Sequence, residues 1–135
     1  MKLVYPACFY PLEEQREGYC VVVPDLPGCV TQGYNLAHAI EMAVDAASGW
    51  VLDELEDGNK VPTASAVQSI TLDNPTGFVS LIVLDMDSYA EKHGNKAIRK
   101  NLTIPAWLAT IADKENINYS QILQSALISE LNIQE

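Results

Sequence analysis

The apolar pattern of the first 94 residues predicts a small sheet with one long helix. Residues 2–12, 19–24 and 29–33 are rich in strand-forming side chains and are separated by short turns, which predicts three successive antiparallel strands. Behind Asn35, a suitable helix N-cap, apolar residues recur every three or four positions up to Leu55. The apolar run 78–85 predicts a fourth strand that is covered on both faces. The order β-β-β-α-β predicts an α+β fold.

The pattern changes near Gly94. Residues 88–95 are predicted to be a polar connector, and residues 96–104 a basic strand in which polar and apolar positions alternate. Pro105 opens a short helix that includes Trp107, which is expected to lie in a core. The spacing Asn118-x-x-Gln121 predicts the start of a second helix. The chain is therefore predicted to hold two domains, 1–94 and 95–135, the second with the order β-α-α.

The second domain is too small to bury a core of its own. We therefore predict that its strand pairs with the strand of a second copy, giving a two-stranded ribbon on a base of four helices. In such a ribbon Leu102 and Ile104 face the helices, whereas Arg99, Asn101 and Thr103 face away. Because the major groove of B-DNA admits a two-stranded ribbon, these three polar residues are candidates for reading bases.

Phosphate contacts are predicted at two other places in the same domain. Lys96 and Lys100 belong to the basic strand. The backbone amides around Asn118, Tyr119 and Ser120 open the second helix, and the first amides of a helix are suited to binding an anion.

The distribution of charge supports two modules with different partners. Residues 1–94 carry the whole net charge of −10, with 14 acidic and four basic residues. Residues 95–135 contain four acidic and four basic residues. So acidic a first module argues against a protein that coats nucleic acid over its whole surface, and it suits a basic partner. The basic stretch in the second module is a local footprint for DNA.

Two motifs resemble known bacterial families. VPDLPGCVTQG at 23–33, followed by NLAHAI at 35–40, resembles the signature of HicB-type antitoxins. KAIRKNLTIP at 96–105 and NYSQILQSAL at 118–127 resemble the ribbon-helix-helix repressors. The resemblance implies a truncated RNase H-like fold in the first domain, with a HicA-like, RNA-cleaving toxin as its partner. It also implies a homodimer that binds operator DNA and represses its own operon.

The contacts to the toxin are expected around Pro24, Asp25 and Leu26. The sequence leaves open whether homodimers pair into tetramers. It also leaves open a different function, in which the first domain of a ribbon-helix-helix regulator senses a small molecule. A gene for a small basic protein beside this one would favour the antitoxin over the sensor.

A degenerate nuclease is the third alternative, because RNase H-like chemistry needs carboxylates that converge on metal ions. The candidates are Asp25, Asp45, Asp85 and Asp87, and nothing in their spacing brings them together. We therefore predict no catalytic residue, no metal site and no cofactor.

The three cysteines form no CxxC pair, which predicts free thiols in a reducing cytoplasm. No apolar run approaches the roughly 18 residues of a membrane span, so a cytoplasmic protein without a membrane partner is expected.

Overall fold

The computed structural model describes residues 1–14, 16–94 and 97–131. The chain divides into two compact units, Met1–Gly94 and Asn95–Glu135.

The first unit is a four-stranded antiparallel sheet with a long helix on one face. The strands are β1 (Lys2–Pro11), β2 (Tyr19–Val22), β3 (Val30–Gly33) and β4 (Phe78–Asp85), and the helix is α1 (Leu36–Glu56). The sheet order is β3-β2-β1-β4, so the first three strands form a meander and the last strand returns to the free edge of β1. This mixed α+β arrangement confirms the α+β class that the order of elements predicts.

Helix α1 begins where its sequence predicts. The Asn35 side chain accepts a hydrogen bond from the His38 amide at 2.8 Å, which satisfies one of the free donors at the helix start. The helix lies very close to the end of β3, because a Cβ on Gly33 would be 2.3 Å from the Ala39 nitrogen. Only glycine fits at Gly33, and this explains the last residue of the TQG motif.

The core lies between the sheet and α1. Alternate residues of β1 and β4 face the helix, and small residues on the helix allow it to approach closely. The largest fully buried side chains are Tyr5, Phe9, Leu26, Ile82 and Leu84.

The prediction that β4 is covered on both faces is wrong. Ile82 and Leu84 are buried towards α1, whereas Leu81 and Val83 are more than half exposed. The reason is that α1 covers only one face of the sheet, and β4 lies at the edge of that sheet.

The prediction of a polar connector at residues 88–95 is also wrong over its described part. Residues Met86–His93 form helix α2. The Asp85 carboxylate accepts a hydrogen bond from the Ser88 amide at 3.2 Å and caps the helix, while Met86 is buried in the core. Lys92 in the last turn suits the negative end of the helix dipole.

A long connection between α1 and β4 is tied to the rest of the unit by hydrogen bonds. It includes one short 3₁₀ turn, Val67–Ser69. The Tyr5 hydroxyl donates to the Pro62 carbonyl at 2.6 Å, and the Asp73 amide donates to the Tyr10 hydroxyl at 3.1 Å. The connection is therefore held at both ends by tyrosines of β1.

The second unit contains two helices, α3 (Ala106–Lys114) and α4 (Tyr119–Glu130). Asn116 adopts a left-handed conformation with φ 52°, which ends the first helix. The strand predicted at residues 96–104 is not formed in the single chain over its described part, 97–104. A strand is stabilised by hydrogen bonds to a neighbouring strand, and the predicted neighbour belongs to a second copy.

Candidate functional site

The DLPGC motif forms a tight turn that closes on itself. The Val23 amide donates to the Cys29 carbonyl at 3.0 Å, and the Cys29 amide donates to the Leu26 carbonyl at 2.9 Å. Gly28 has φ 81°, a conformation that side-chain-bearing residues rarely adopt. The motif therefore encodes the shape of the chain between β2 and β3.

The side chains of this turn are largely engaged within the protein. The Asp25 carboxylate accepts hydrogen bonds from the amide and the hydroxyl of Ser65, at 2.8 and 2.6 Å. The indole nitrogen of Trp50 donates to the Pro27 carbonyl at 3.0 Å. The turn thus joins α1 to the connection that follows it.

The expectation that Leu26 contacts a toxin is corrected by its burial. Its side chain is 0% exposed and belongs to the core, so it has no surface to offer a partner. Pro24 is exposed and Asp25 is half-buried with its oxygens bound to Ser65. Of the three predicted toxin contacts, Pro24 alone has a largely free surface.

A groove of about 420 Å³ lies between α1, β4 and α2. Its lining combines apolar and charged side chains from all three elements. The apolar lining residues are Ile40, Val44, Val83 and Tyr89. The charged lining residues are Glu41, Asp45, Asp85 and Lys92, together with His93.

Tyr89 connects α2 to α1 in this groove. A Cβ on Gly49 would lie 3.0 Å from the Tyr89 hydroxyl, so the two helices meet there. Burial raises the pKa of Tyr89, and the nearby carboxylates of Asp45 and Asp53 raise it further. The phenol is therefore neutral and lies in a region of negative potential.

Of the four carboxylates considered for a nuclease, Asp45 and Asp85 line the same groove, whereas Asp25 and Asp87 have partners elsewhere. Asp25 binds Ser65, Asp85 caps α2, and Asp87 binds the amino group of Met1. Asp45 lines the groove. Over residues 1–14, 16–94 and 97–131, no three or more His, Cys, Asp or Glu side chains are placed to hold a metal ion together. In the same ranges, no helix combines the length and hydropathy needed to cross a membrane.

The candidate base-reading residues Arg99, Asn101 and Thr103 are all exposed. Lys100, the candidate phosphate contact between them, is exposed as well. Lys96, the other predicted phosphate contact, lies outside the described residues. The alternation of these polar side chains with Leu102 and Ile104 stays a prediction of the ribbon geometry.

The start of α4 has the predicted cap. The Asn118 side chain accepts a hydrogen bond from the Gln121 amide at 3.1 Å, so the amides of Tyr119 and Ser120 are the first two of the helix. The Tyr119 hydroxyl donates to the Asp113 carboxylate, and this hydrogen bond raises the pKa of Tyr119. Tyr119 thus joins α4 to the end of α3 through its side chain.

Large apolar side chains of the second unit are exposed in the single chain, and neither α3 nor α4 has a buried residue. Trp107, predicted to lie in a core, is 66% exposed. The reason is that the described residues 97–131, with two short helices, provide no second layer to cover it. The exposed apolar residues are Ile98, Leu102, Ile104, Trp107, Leu108, Ile111, Ile117, Ile122, Leu127 and Leu131.

A sequence profile of the HicB-like antitoxins of bacterial toxin-antitoxin systems matches residues 5–132. The chain belongs to this family. The match includes both units, so the resemblance that the DLPGC motif indicates extends over nearly the whole HicB-like chain.

Two relatives are similar to this HicB-like chain in sequence. A protein of 14.9 kDa from the rep-hol intergenic region of Haemophilus phage HP1 is 32% identical over 106 residues, which cover 78% of this chain and 76% of the phage protein. Antitoxin HicB 1 of Photorhabdus laumondii is 35% identical over 80 residues, 59% of this chain and 50% of that antitoxin.

Solved structures are similar over both units or over the first alone. A chain of a toxin-antitoxin complex from Streptococcus pneumoniae superposes with a TM-score of 0.63 at 27% identity, covering 96% of this chain and 99% of that one. The N-terminal domain of the Burkholderia pseudomallei antitoxin HicB superposes with a TM-score of 0.54 at 26% identity, covering 62% of this chain and 99% of that domain.

The groove of this HicB-like protein is not predicted from the sequence, because residues 88–95 are predicted to be a polar connector. The spacing Asp85-x-x-Ser88 is a signal that could have indicated α2, since an aspartate at a strand end often caps a following helix. The exposure of Val83 has no sequence signal, because an apolar run predicts the same strand at the centre or at the edge of a sheet.

Proposed function

We propose that this chain neutralises a HicA-like, RNA-cleaving toxin through its first unit and represses its own operon through its second. In this proposal the first unit is a truncated RNase H-like domain, and the second is a ribbon-helix-helix domain that binds operator DNA as a homodimer. The observation that carries the proposal is the family match over residues 5–132. The structurally similar chain of the Streptococcus pneumoniae toxin-antitoxin complex supports it.

Charge supports the first half of the proposal. An enzyme that cleaves RNA must hold phosphates and is therefore basic at its binding surface. Residues 1–94, with 14 acidic and four basic residues, attract such a surface and compete with RNA for it. Neutralisation then follows from occupying the surface that RNA needs, and the antitoxin itself carries out no chemistry.

Exposed apolar surface supports the homodimer. The side chains of Leu102 and Ile104 and those along α3 and α4 have no cover within their own unit. Pairing two strands at residues 97–104 would turn these side chains into a shared core and satisfy the backbone hydrogen bonds of the strand. The dimer is therefore the folded form expected for the second unit.

The polar face of that ribbon is suited to DNA. Arginine can bind guanine through two hydrogen bonds, asparagine can bind adenine in the same way, and the threonine methyl group can contact thymine. Arg99, Asn101 and Thr103 supply these three groups on one face. Lys96, Lys100 and the amides of Asn118, Tyr119 and Ser120 supply the phosphate contacts that fix the register.

The test is protection of growing cells from the HicA-type protein encoded by the adjacent gene. Co-expression of the full chain should restore growth and reduce transcription from the operon promoter. A chain cut after Gly94 should still restore growth and should no longer repress, because the first unit retains its own core. A soluble full chain that neither restores growth nor binds the toxin would contradict the proposal.

A further inference from the structure

The outer edge of β4 is long and apolar. In the described part of the chain, β4 pairs with β1 on one side and with no strand on the other. It is eight residues long, and Leu81 and Val83 on it are 54% and 53% exposed. Long apolar edge strands promote association unless something covers them. We therefore expect a partner to cover this edge.

The groove beside this edge supplies both kinds of contact that a protein partner needs. Ile40 and Val44 of α1 and Tyr89 of α2 provide apolar surface in the groove, and the edge strand β4 borders it at Val83. Buried apolar contacts at the centre of an interface provide most of its affinity, and a polar rim provides orientation. Glu41, Asp45 and Asp85 belong to the lining as well.

Two partners are considered for this groove, a second copy of this chain and a basic protein, and the charges of the lining favour the basic protein. A second copy of this chain would bring Glu41, Asp45 and Asp85 close to the same three carboxylates, with Lys92 as the one lysine in the lining. Like charges brought together across an interface oppose association. A basic partner meets the opposite situation, because its lysines and arginines would pair with these carboxylates.

We infer that the groove between α1, β4 and α2 is the docking surface for the toxin. This inference rests on the proposed antitoxin function and identifies the surface at which the toxin binds. An apolar side chain of the toxin packs on Ile40, Val44 and Tyr89, and basic side chains of the toxin lie against Glu41 and Asp45. The inference replaces the expected contact surface around Leu26, which is in the core.

The apolar contact is tested with Ile40→Glu, and Val30→Glu is the matched control. Both residues are exposed, Ile40 at 39% in the groove and Val30 at 57% on the edge strand β3. Neither substitution therefore disturbs the core, which circular dichroism and thermal unfolding can verify. In calorimetric titration of full-length protein with the purified HicA-type protein from the adjacent gene, Ile40→Glu should weaken binding at least about tenfold. Val30→Glu should bind as the parent does.

The charge contact is tested with Asp45→Lys, and Glu56→Lys is its control. Both residues are exposed on α1 and both substitutions change the net charge by the same amount, but only Asp45 lines the groove. Asp45→Lys should weaken toxin binding and reduce its dependence on salt, whereas Glu56→Lys should do neither beyond a small general effect.

The outcomes separate this inference from the proposed function. If the parent binds the toxin and both Ile40→Glu and Asp45→Lys bind it equally well, the groove is not the docking surface, and the antitoxin function stands. If the parent does not bind the toxin at all, the proposed function fails and the docking surface with it. If Ile40→Glu instead reduces the oligomeric state of the toxin-free protein and leaves toxin binding unchanged, the occupant is a second copy, which overturns the inference.

Discussion

The two units of this HicB-like protein both contain amphipathic helices, but only the first unit buries the apolar face of its helix. In the first unit the apolar face of α1 is buried against the sheet, with Ala39, Ala43, Ala47 and Val51 fully covered. In the second unit α3 and α4 have comparable apolar stripes and bury none of their residues. An amphipathic pattern therefore indicates that a face will be covered, but it does not indicate which chain provides the cover.

This difference has a consequence for stability. Residues 1–94 have their core in one chain, so their free energy of unfolding should not depend on protein concentration. Residues 95–135 gain their core by association in the proposed dimer, so their stability should rise with concentration. The two units should consequently respond differently to substitutions at apolar positions.

The largest expected effect is that of Ile104→Asp. In the proposed ribbon this position faces the helices, so the dimer would have to bury two unpaired carboxylates, at a cost of about 3–5 kcal/mol for each uncompensated charge. We expect a monomer with an unfolded second unit, no operator binding and an unchanged first unit. Sedimentation and the temperature dependence of circular dichroism measure these changes.

Thr103→Asp is the control one residue away. It faces outwards in the ribbon and should leave the dimer intact, while repulsion from DNA phosphates abolishes operator binding. A dimer that survives Ile104→Asp as well as it survives Thr103→Asp would show that residues 97–104 do not form the shared core.

The sequence was informative where one short-range rule decides the structure. β4 begins at Phe78 and ends at Asp85 as predicted, because a continuous run of apolar residues forms it. Asn35 and Asn118 cap their helices as predicted, because capping depends on residues within one turn. The antiparallel order of β1, β2 and β3 follows from the short turns between them.

The sequence failed where a residue's surroundings come from distant parts of the chain. Leu26 lies in a turn with two prolines and a glycine, which suggests a surface position, yet the core encloses it. Val83 belongs to the most apolar strand, yet it is exposed because α1 covers the other face. The toxin surface that we propose could not be predicted for the same reason, since the groove forms only when α1, β4 and α2 come together.

A smaller effect is expected for Arg99→Ala and Asn101→Ala. Each removes one candidate base contact from the outward face of the ribbon and leaves the dimer and the toxin complex unchanged. The loss of one such contact should cost about 1–3 kcal/mol of operator affinity at each base pair and should relax the preference there. Fluorescence anisotropy with operator and scrambled DNA measures both quantities.

Lys100→Ala is the control for a contact without base preference. It should weaken binding to operator and scrambled DNA alike and reduce the salt dependence, because lysine binds phosphate at any sequence. If Arg99→Ala and Asn101→Ala bind both DNAs as the parent does, the polar face of residues 99–103 does not read bases.

The smallest expected effects concern the N-cap residues of α1 and α4. Asn118→Asp and Asn35→Asp each keep a side chain that accepts from a backbone amide, and asparagine and aspartate are about equally good N-caps. The free energy of unfolding, measured by thermal unfolding, should therefore change by no more than about a few tenths of a kcal/mol in either variant.

Operator binding should nevertheless separate these two variants. At α4 a carboxylate would lie beside the amides of Tyr119 and Ser120, where a DNA phosphate is proposed to bind, so Asn118→Asp should weaken binding to operator and scrambled DNA alike. At α1 the same substitution adds the same charge to the unit proposed for the toxin, so Asn35→Asp should leave DNA binding unchanged. Equal DNA affinities for the two variants, with both helices intact by circular dichroism, would remove the start of α4 from the DNA surface and leave the ribbon as its one proposed contact.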